Sequence, residues 1–452
     1  MTEITCFKAY DVRGRVPDEL NEDIAYRIAR AYCNFIKPKR VAVGHDIRLS
    51  SISLARAVTR GLVDSGVNAV TIGTGGTELI YFATFHDKLD GGIMITASHN
   101  PPDYNGMKFV REGSRPISRD TGLQEIRALA ETNNFEYTNN LGSVSERDIF
   151  FDYIAHLLSY IDIEKLEPLK IVVNAGNGSA GPIIDLLEPH LPFEFIKLHH
   201  EPDGAFPNGI PNPMIEENRQ GTSDRVVETE ADLGIAWDGD YDRCFFFDSQ
   251  GRFIEGYYIV GLLAHAFLEN SPGETIVHDP RLTWNTLEII EQGNGKAIES
   301  ISGHSFMKHA MRESNAAYGG EMSAHHYFRD FSYADSGMIP WLLVASIMSQ
   351  TGQSLAALIN ERMTLFPASG EINRKVVDAD EVLKKAETLY AKNAILVDHT
   401  DGLSVQFADW RFNLRSSNTE PLVRLNVESR GNQKLMQERT EELLVIIGGR
   451  PG

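Results

Sequence analysis

The chain has 452 residues, 42% of them hydrophobic, and 43 Lys+Arg against 63 Asp+Glu give a formal net charge of −20. That length allows three or four domains with ordinary cores. The acidic balance excludes a general binder of nucleic acid or of an anionic membrane, since either needs a basic face; small anionic substrates are allowed where basic residues gather locally.

Cys6, Cys33 and Cys244 are far apart, fit no metal or redox spacing, and read as reduced thiols. The N-terminus lacks the charged segment and apolar run of a signal peptide. The apolar segment around Met338–Met348 contains Pro340 and is too short to span a bilayer, so it predicts a buried helix. The expectation is a cytoplasmic protein with no nucleic-acid and no membrane partner; whether it is a monomer or a dimer is not legible.

A pattern recurs three times along the chain. The first copy predicts strand Arg40–Gly44, a polar loop with His45, Asp46 and Arg48, helix Ser53–Ser65, strand Ala69–Ile72, and a buried strand Ile93–Ala97. That last strand stops at Ser98, because Asn100, Pro101 and Pro102 forbid its continuation. The second copy predicts strand Leu169–Asn174, a Gly-rich loop, helix Pro182–Leu187, strand Phe193–Leu198 and strand Asp232–Trp237, which runs into Asp238-Gly239-Asp240-Tyr241-Asp242. The third predicts strand Thr275–His278, loop Asp279-Pro280-Arg281, helix Thr283–Gln292, strand Lys296–Ser300 and strand Ala316–Gly319, which ends at Gly320-Glu321-Met322-Ser323. These read as three similar α/β domains with mixed sheets and helices on both faces. The remainder predicts an α+β domain: helices Asp380–Lys392 and Gln433–Ile447 around short strands at Ile395–Val397, Ser404–Phe407, Trp410–Leu414 and Leu422–Glu428. The expected domains are residues 1–145, 146–250, 251–367 and 368–452.

Four loops carry chemistry. In an open α/β sheet ligands bind at the carboxyl ends of strands, which places Ser98 at a site. Asp238, Asp240 and Asp242 alternate between two apolar strands, and alternation in extended backbone sets three carboxylates on one side, where a hard divalent cation relieves their repulsion. A calcium EF-hand loop also begins Asp-x-Asp-x-Asp, but needs Gly at its sixth position and Glu at its twelfth, where this chain has Arg243 and Ser249. Glu321 and Ser323 offer an acceptor and a hydroxyl suited to sugar hydroxyls, with His325 and His326 close by as ligands or as packed imidazoles. Arg415-Ser416-Ser417-Asn418-Thr419 makes a phosphate cradle, with Arg able to bind bidentately. Lys108, ten residues after Ser98, is placed to neutralise phosphate or move a proton. One motif points elsewhere. Gly176-Asn177-Gly178-Ser179-Ala180-Gly181 fits G-x-G-x-x-G between a strand and a helix, with Glu201 or Asp203 further on, which is the context of an NAD-linked dehydrogenase; Pro182 at the helix start and the lack of any other dehydrogenase constellation count against it.

Taken together, Thr96-Ala97-Ser98-His99-Asn100-Pro101, Asp238-Gly239-Asp240-Tyr241-Asp242-Arg243, Glu321-Met322-Ser323 and Arg415-Ser416-Ser417-Asn418-Thr419 resemble, in content and order, the loops of the α-D-phosphohexomutases. The resemblance covers the whole chain. Phe7-Lys8-Ala9-Tyr10-Asp11-Val12-Arg13-Gly14 and Gly320-Glu321-Met322-Ser323-Ala324-His325-His326-Tyr327-Phe328 bring it closest to the bacterial phosphomannomutases that supply GDP-mannose for surface polysaccharide. It implies four domains around a central active-site cleft and an enzyme that interconverts mannose 6-phosphate and mannose 1-phosphate through a hexose 1,6-bisphosphate, with a dual mannose/glucose mutase as the alternative. Ser98 would be the phosphoserine and, with Asp238, Asp240 and Asp242, would hold one Mg²⁺. Glu321, Ser323 and His325 would bind the sugar, while Arg415, Ser417, Asn418 and Thr419 would grip the non-transferring phosphate. Tyr10, Arg13, Lys108, Arg243 and His304 stand where that family has supporting groups, Lys108 or His304 being candidates for the general base; Arg281 stands where the family has a lysine. Hexose phosphates would be its partners and hexose 1,6-bisphosphate its activator.

Overall fold

A computed structural model describes residues 3–136, 138–416 and 422–451. They form two compact units, Met1–Phe253 with Tyr327–Gly352, and Ile254–His326 with Gln353–Gly452.

The first unit holds two sheets of like topology. In the first, the strand order is Val12–Arg15, Tyr104–Arg111, Gly91–Ile95, Arg40–His45, Asn68–Thr74, Val144–Glu146. The strand Arg40–His45 pairs in parallel with Asn68–Thr74 on one side and with Gly91–Ile95 on the other. The chain crosses to the first neighbour through helix Ser51–Asp64 and to the second through helix Thr77–His86. This reversal makes a switch point, with its crevice at the strands' carboxyl ends. Gly91 and Gly92 let helices press on both faces of their strand: a Cβ at Gly91 would lie 1.9 Å from the Tyr32 hydroxyl, and one at Gly92 would lie 2.6 Å from Thr84 Oγ1. Ile93, Met94 and Ile95 are wholly buried, which contributes about 1.5–3 kcal/mol each. The strand that delivers Ser98 is thus anchored in the core.

The second sheet repeats the plan. Lys170–Asn174 pairs in parallel with Glu194–Leu198 and Leu233–Trp237, and the latter pairs antiparallel with Cys244–Asp248. In the second unit Thr275–His278 likewise pairs in parallel with Lys296–Glu299 and Tyr318–Gly320. The first sheet gains the unexpected strands Val12–Arg15, Tyr104–Arg111 and Val144–Glu146, and each copy has a helix before the third strand that the sequence did not suggest: Thr77–His86, Gln220–Thr229 and His304–Ser314. Parallel neighbours need such a crossover. Two of these helices show no amphipathic stripe to the eye: the first is buried from Thr77 through Thr84, and the second buries only Thr222 and Val226.

The apolar segment forms the buried helix Met338–Thr351, with Pro340 tolerated in its first turn. The second unit also holds a six-stranded antiparallel sheet, ordered Leu396–Asp398, Leu403–Gln406, Trp410–Ser416, Leu422–Ser429, Ile372–Lys375, Arg450–Pro451. Helices Ala379–Tyr390 and Gln433–Ile447 cover it, closing a core of Val405, Phe412, Leu414, Leu425 and Leu443. Among the described residues no single helix is long and apolar enough to cross a membrane.

Candidate active site

Two sets of polar side chains stand out, one in each unit. In the first unit Ser98 sits just past its buried strand in a left-handed conformation, φ +48°, with its amide donating to Thr96 Oγ1 at 3.0 Å. Its hydroxyl donates to Asp238 Oδ2 at 2.8 Å. Arg243 Nε donates to the same oxygen at 2.9 Å, and Arg243 Nη2 donates to His99 Nδ1 at 2.7 Å. His99 therefore has its lone pair engaged. Burial, then the charges of Arg243 and Arg13, push its pKa well below the ordinary range. Arg13 is locked by Asp11 at 2.8 Å and donates to Ala97 O at 3.0 Å and to Asn100 Oδ1. Tyr10 lies in the turn closed by Lys8 N to Asp11 O.

Asp238, Asp240 and Asp242 are almost wholly buried, and one oxygen from each lies within 4.8 Å of the others. They converge by a tight turn instead of the extended backbone expected: Tyr241 N donates to Asp238 O at 3.1 Å and Tyr241 has φ +44°. Lys108 Nζ reaches Asp240 Oδ2 at 2.9 Å and Asp242 Oδ2 at 2.6 Å. Burial alone would lower the Lys108 pKa, but Asp240 and Asp242 outweigh it and hold the ammonium charged above its ordinary value. The converse holds for Asp240: burial pushes it up, and Lys108 with Thr77 brings it well below the carboxylate range. Thr77 Oγ1 donates to Asp240 Oδ2 at 2.5 Å, whereas Asp240 Oδ1 is buried without a hydrogen-bond partner. Three buried carboxylates faced by two cations, with one oxygen left over, suit a hard divalent cation.

The glycine-rich loop has a different job from the one its fingerprint suggests. Ser179 N donates to Gly239 O at 3.1 Å, and a Cβ at Gly178 would lie 2.8 Å from that oxygen. Gly239 in turn packs on Ser98, where a Cβ would stand 2.4 Å from Ser98 O. The place a pyrophosphate would take is filled by the chain's own aspartate loop, which removes the structural support for a dinucleotide.

In the second unit Asp279 grips Arg281 bidentately, at 3.0 Å through Nε and 2.8 Å through Nη2. Arg281 Nη2 donates to Ser323 Oγ at 3.2 Å and to Glu321 Oε1 at 3.4 Å. Burial would lower the Arg281 pKa, but Asp279, Glu371 and Glu321 hold it above its ordinary value. Glu321 Oε1 also accepts from Gly303 N at 2.8 Å, at the start of the helix headed by His304. The loop closes with Glu321 N donating to His325 O at 2.9 Å. His326 is a packed residue: it meets the Tyr318 hydroxyl at 2.7 Å through Nδ1, and burial pushes its pKa down to about 3. Arg415 and Arg424 face each other in register on neighbouring antiparallel strands, a like-charge pairing that costs stability unless neutralised. Buried Glu371 meets Arg415 Nη2 at 3.1 Å, Arg424 Nη1 at 3.4 Å and Arg281 Nη1 at 3.4 Å. Burial raises the Glu371 pKa, and the three guanidinium groups more than reverse it. Ser417, Asn418 and Thr419 lie outside the described residues.

Sequence reasoning passed over Thr77, Glu371 and Arg424, and placed Arg48 in a polar loop without giving it a role. Thr77 and Glu371 are lone residues far from any motif. Arg424 lies nine residues from Arg415, and antiparallel pairing of their strands sets the two in direct opposition.

The chain matches the family descriptions for phosphoglucomutase/phosphomannomutase alpha/beta/alpha domain I over residues 5–137, domain II over 149–251, domain III over 255–366 and the C-terminal domain over 371–445. It is 58% identical to a phosphomannomutase of Salmonella montevideo and 55% identical to one of Escherichia coli K12, in each case over 99% of this chain and 100% of the relative. A phosphoglucomutase/phosphomannomutase family protein of Burkholderia thailandensis has the same fold, with a TM-score of 0.89, 31% identity and 100% of both chains covered. With all four domain descriptions matched in order and the relatives aligned end to end, the chain belongs to the phosphoglucomutase/phosphomannomutase family.

Proposed function

We propose that the chain catalyses the phosphomannomutase reaction, interconverting mannose 6-phosphate and mannose 1-phosphate and so feeding GDP-mannose and surface polysaccharide synthesis. It is an enzyme of the isomerase class that moves phosphate within its substrate. The observation that carries this reading is the Ser98 hydroxyl, 2.8 Å from Asp238 in the buried aspartate cluster of a chain that aligns end to end with phosphomannomutases.

Ser98 is the phosphate carrier. In its phosphorylated form, the bond from Ser98 Oγ to phosphorus breaks as a bond from the free sugar hydroxyl to phosphorus forms, and the hydroxyl proton passes to a base. The product is a hexose 1,6-bisphosphate, which also serves as activator. Its other phosphate then returns to Ser98 by the reverse step, leaving the sugar phosphorylated at the other carbon. Phosphoryl transfer asks mainly for in-line positioning and neutralised charge. Ser98 with Asp238, Asp240 and Asp242 would hold Mg²⁺, which when bound supplies charge neutralisation at the transferring group. Arg243, fixed by Asp238 and His99, and Lys108, kept charged by its two aspartates, supply more of the same. Arg13 braces the serine loop from Tyr10's side of the chain. Asp240 and Asp242 favour the protonated form of Lys108, which makes it the weaker base and His304, next to the Glu321 anchor, the better candidate for the proton. Glu321, Ser323 and His325 bind sugar hydroxyls, oriented by Arg281. Arg415, with Arg424 beside it, takes the non-transferring phosphate together with Ser417, Asn418 and Thr419.

Phosphorus NMR tests the reading. Purified protein with Mg²⁺ and a trace of glucose 1,6-bisphosphate is supplied with mannose 1-phosphate and, in parallel, glucose 1-phosphate. Faster conversion of mannose 1-phosphate to the 6-phosphate is expected. Equal rates would make the enzyme a dual mutase, and no conversion of either would reject the assignment of Ser98.

A further inference from the structure

The Arg48 side chain is completely buried, its Nε lies 3.4 Å from Asp46 Oδ2, and its two terminal nitrogens go to one object. Nη1 donates to Pro101 O at 2.7 Å and to Tyr104 O at 2.9 Å. Nη2 donates to Ser98 O at 2.7 Å and to Asn100 O at 2.6 Å. Four backbone carbonyls of the segment that carries Ser98 thus converge on a single planar cation. The clamp is itself held. Asp46 accepts from Arg48 N at 3.0 Å and from Ser51 Oγ at 2.5 Å, its amide is tied to Ile95 O at 2.8 Å, and the Phe206 ring lies 5.1 Å from the guanidinium carbon. Gly204 closes over the same turn, where a Cβ would stand 2.4 Å from Ile47 O.

We infer that Arg48 is a positioning residue of the phosphoryl-transfer reaction: its fork holds the left-handed Ser98 and the carbonyls after it, so that the serine oxygen keeps one place through both transfers. The inference rests on the assignment of Ser98 as phosphate carrier. The physical need is specific. A buried row of carbonyls pointing inward leaves unpaired acceptors unless a multi-donor group meets them, and arginine is the side chain whose donors form a rigid fork. Holding the loop in a non-glycine left-handed conformation costs strain that the surroundings must balance. The turn recurs in the second unit. His45 Nδ1 donates to Asp46 O at 2.9 Å and His278 Nδ1 to Asp279 O at 2.9 Å, while Arg48 N and Arg281 N donate to Asp46 Oδ1 and Asp279 Oδ1 at 3.0 and 2.9 Å. In both copies the arginine then reaches the loop after the third strand, Ser98 in one and Ser323 in the other.

The test compares full-length wild-type enzyme with Arg48→Lys, which keeps charge but loses the fork, and with Arg48→Met. Turnover of mannose 1-phosphate with Mg²⁺ and glucose 1,6-bisphosphate is measured per folded molecule, and loss of phosphate from Ser98 in buffer is followed by intact mass. A misplaced reacting group costs on the order of 10²-fold. Expected for Arg48→Lys is a kcat lower by about 10- to 100-fold, a KM for the sugar phosphate unchanged, and faster loss of the phosphoryl group to water. An Arg48→Lys enzyme with wild-type kcat and a lowered melting temperature alone would overturn the inference and leave Arg48 a packing residue. Should either variant fail to fold, Asp46→Asn, which frees the arginine while preserving volume, is judged by the same criteria. Wild-type protein that never phosphorylates Ser98 would instead reject the mutase reading itself, and the inference with it.

Discussion

Replacing Lys108 by Met removes one charge and keeps the aliphatic stem. The Lys108 side chain is 10% exposed, and its partners Asp240 and Asp242 are 0% and 4% exposed. Its ammonium contacts both at 2.9 and 2.6 Å. Without it Asp240 and Asp242 lose the ammonium that contacts both of them. Removing one partner of a buried pair costs about 3–5 kcal/mol, because the other is left charged and unpaired. In a unit of this size each kcal/mol shifts the melting temperature by about 2–4 °C, so the fall is on the order of 10 °C. A bound divalent cation would take over the lost neutralisation and stabilise by mass action. The melting temperatures of wild type and Lys108→Met are therefore measured in EDTA and in saturating Mg²⁺. The variant is expected to melt far below wild type in EDTA and to recover most of the gap with Mg²⁺, while kcat stays depressed. The pH dependence has a definite sign. Asp240, whose pKa is depressed in the fold, contributes stability at neutral pH that is lost as pH falls through the acid range. The variant lacks the cation behind that depression, so its deficit shrinks in acid. Equal melting temperatures in EDTA, or a deficit that Mg²⁺ leaves untouched, would refute the electrostatic account.

Three further outcomes are expected. Gly239→Ala puts a Cβ 2.4 Å from Ser98 O, so the aspartate loop must shift by about an ångström and kcat should fall by roughly 10²-fold with the fold intact; near-normal turnover would show that the loop has slack. Arg415→Ala should raise KM for the sugar phosphate more than it lowers kcat, and should relieve the repulsion with Arg424; an unchanged KM would remove Arg415 from phosphate binding. Burial pushes the Glu78 carboxyl from its ordinary 4.5 up to about 8, against the pull of Ser336 Oγ and the amides of Gly337 and Met338. A group with a raised pKa contributes stability below its unfolded value and loses it as pH rises through the folded value. Wild type should thus lose on the order of 4 kcal/mol between about pH 4.5 and 8 through this group, and Glu78→Gln should flatten that slope in urea unfolding; parallel slopes would place the titration elsewhere.

The half of the candidate site in the first unit stood out in the sequence because its residues lie in short motifs: Ser98 at a strand end blocked by two prolines, and three aspartates within five positions. Val12–Arg15, Tyr104–Arg111, Val144–Glu146 and Ile372–Lys375 were not read as strands, whereas the parallel strands of the three repeats were legible as apolar runs. Thr275–His278 matches its expected bounds, and the others shift by a few residues at most. Two of the crossover helices were not, because their apolar faces are either complete or nearly absent: Thr77–His86 is buried through Thr84, and Gln220–Thr229 is mostly polar. The aspartate loop was read correctly for the wrong reason, since side-chain convergence there comes from a turn at Tyr241 and not from strand alternation. Glu371 illustrates a deeper limit. Its role exists only because Arg281, Arg415 and Arg424, separated by more than a hundred residues at the extremes, are brought onto one carboxylate by pairings that no local window contains.

The three repeats solve one problem in two ways. Each must hold a functional loop against the end of its first parallel strand. In the first and third copies the strand ends in His-Asp-x-Arg, and an arginine reaches across to the loop after the third strand. The middle copy has Asn174-Ala175-Gly176-Asn177 at that position and no arginine. There Asn174 Oδ1 accepts from Gly176 N at 2.9 Å, and the glycine turn brings backbone directly against backbone, Ser179 N to Gly239 O. The difference follows from what each loop carries. The serine loop and the Glu321 loop present inward-facing acceptors, carbonyls in one and a carboxylate with a hydroxyl in the other, and a cation satisfies them. The middle loop carries Asp238, Asp240 and Asp242, whose charges already engage Lys108 and Arg243. An arginine fixed beneath them would compete for the same carboxylates that the proposed Mg²⁺ needs. The glycine-rich turn leaves those oxygens to the cluster, so the fingerprint's glycines serve here to bring the backbone of one loop against that of the next.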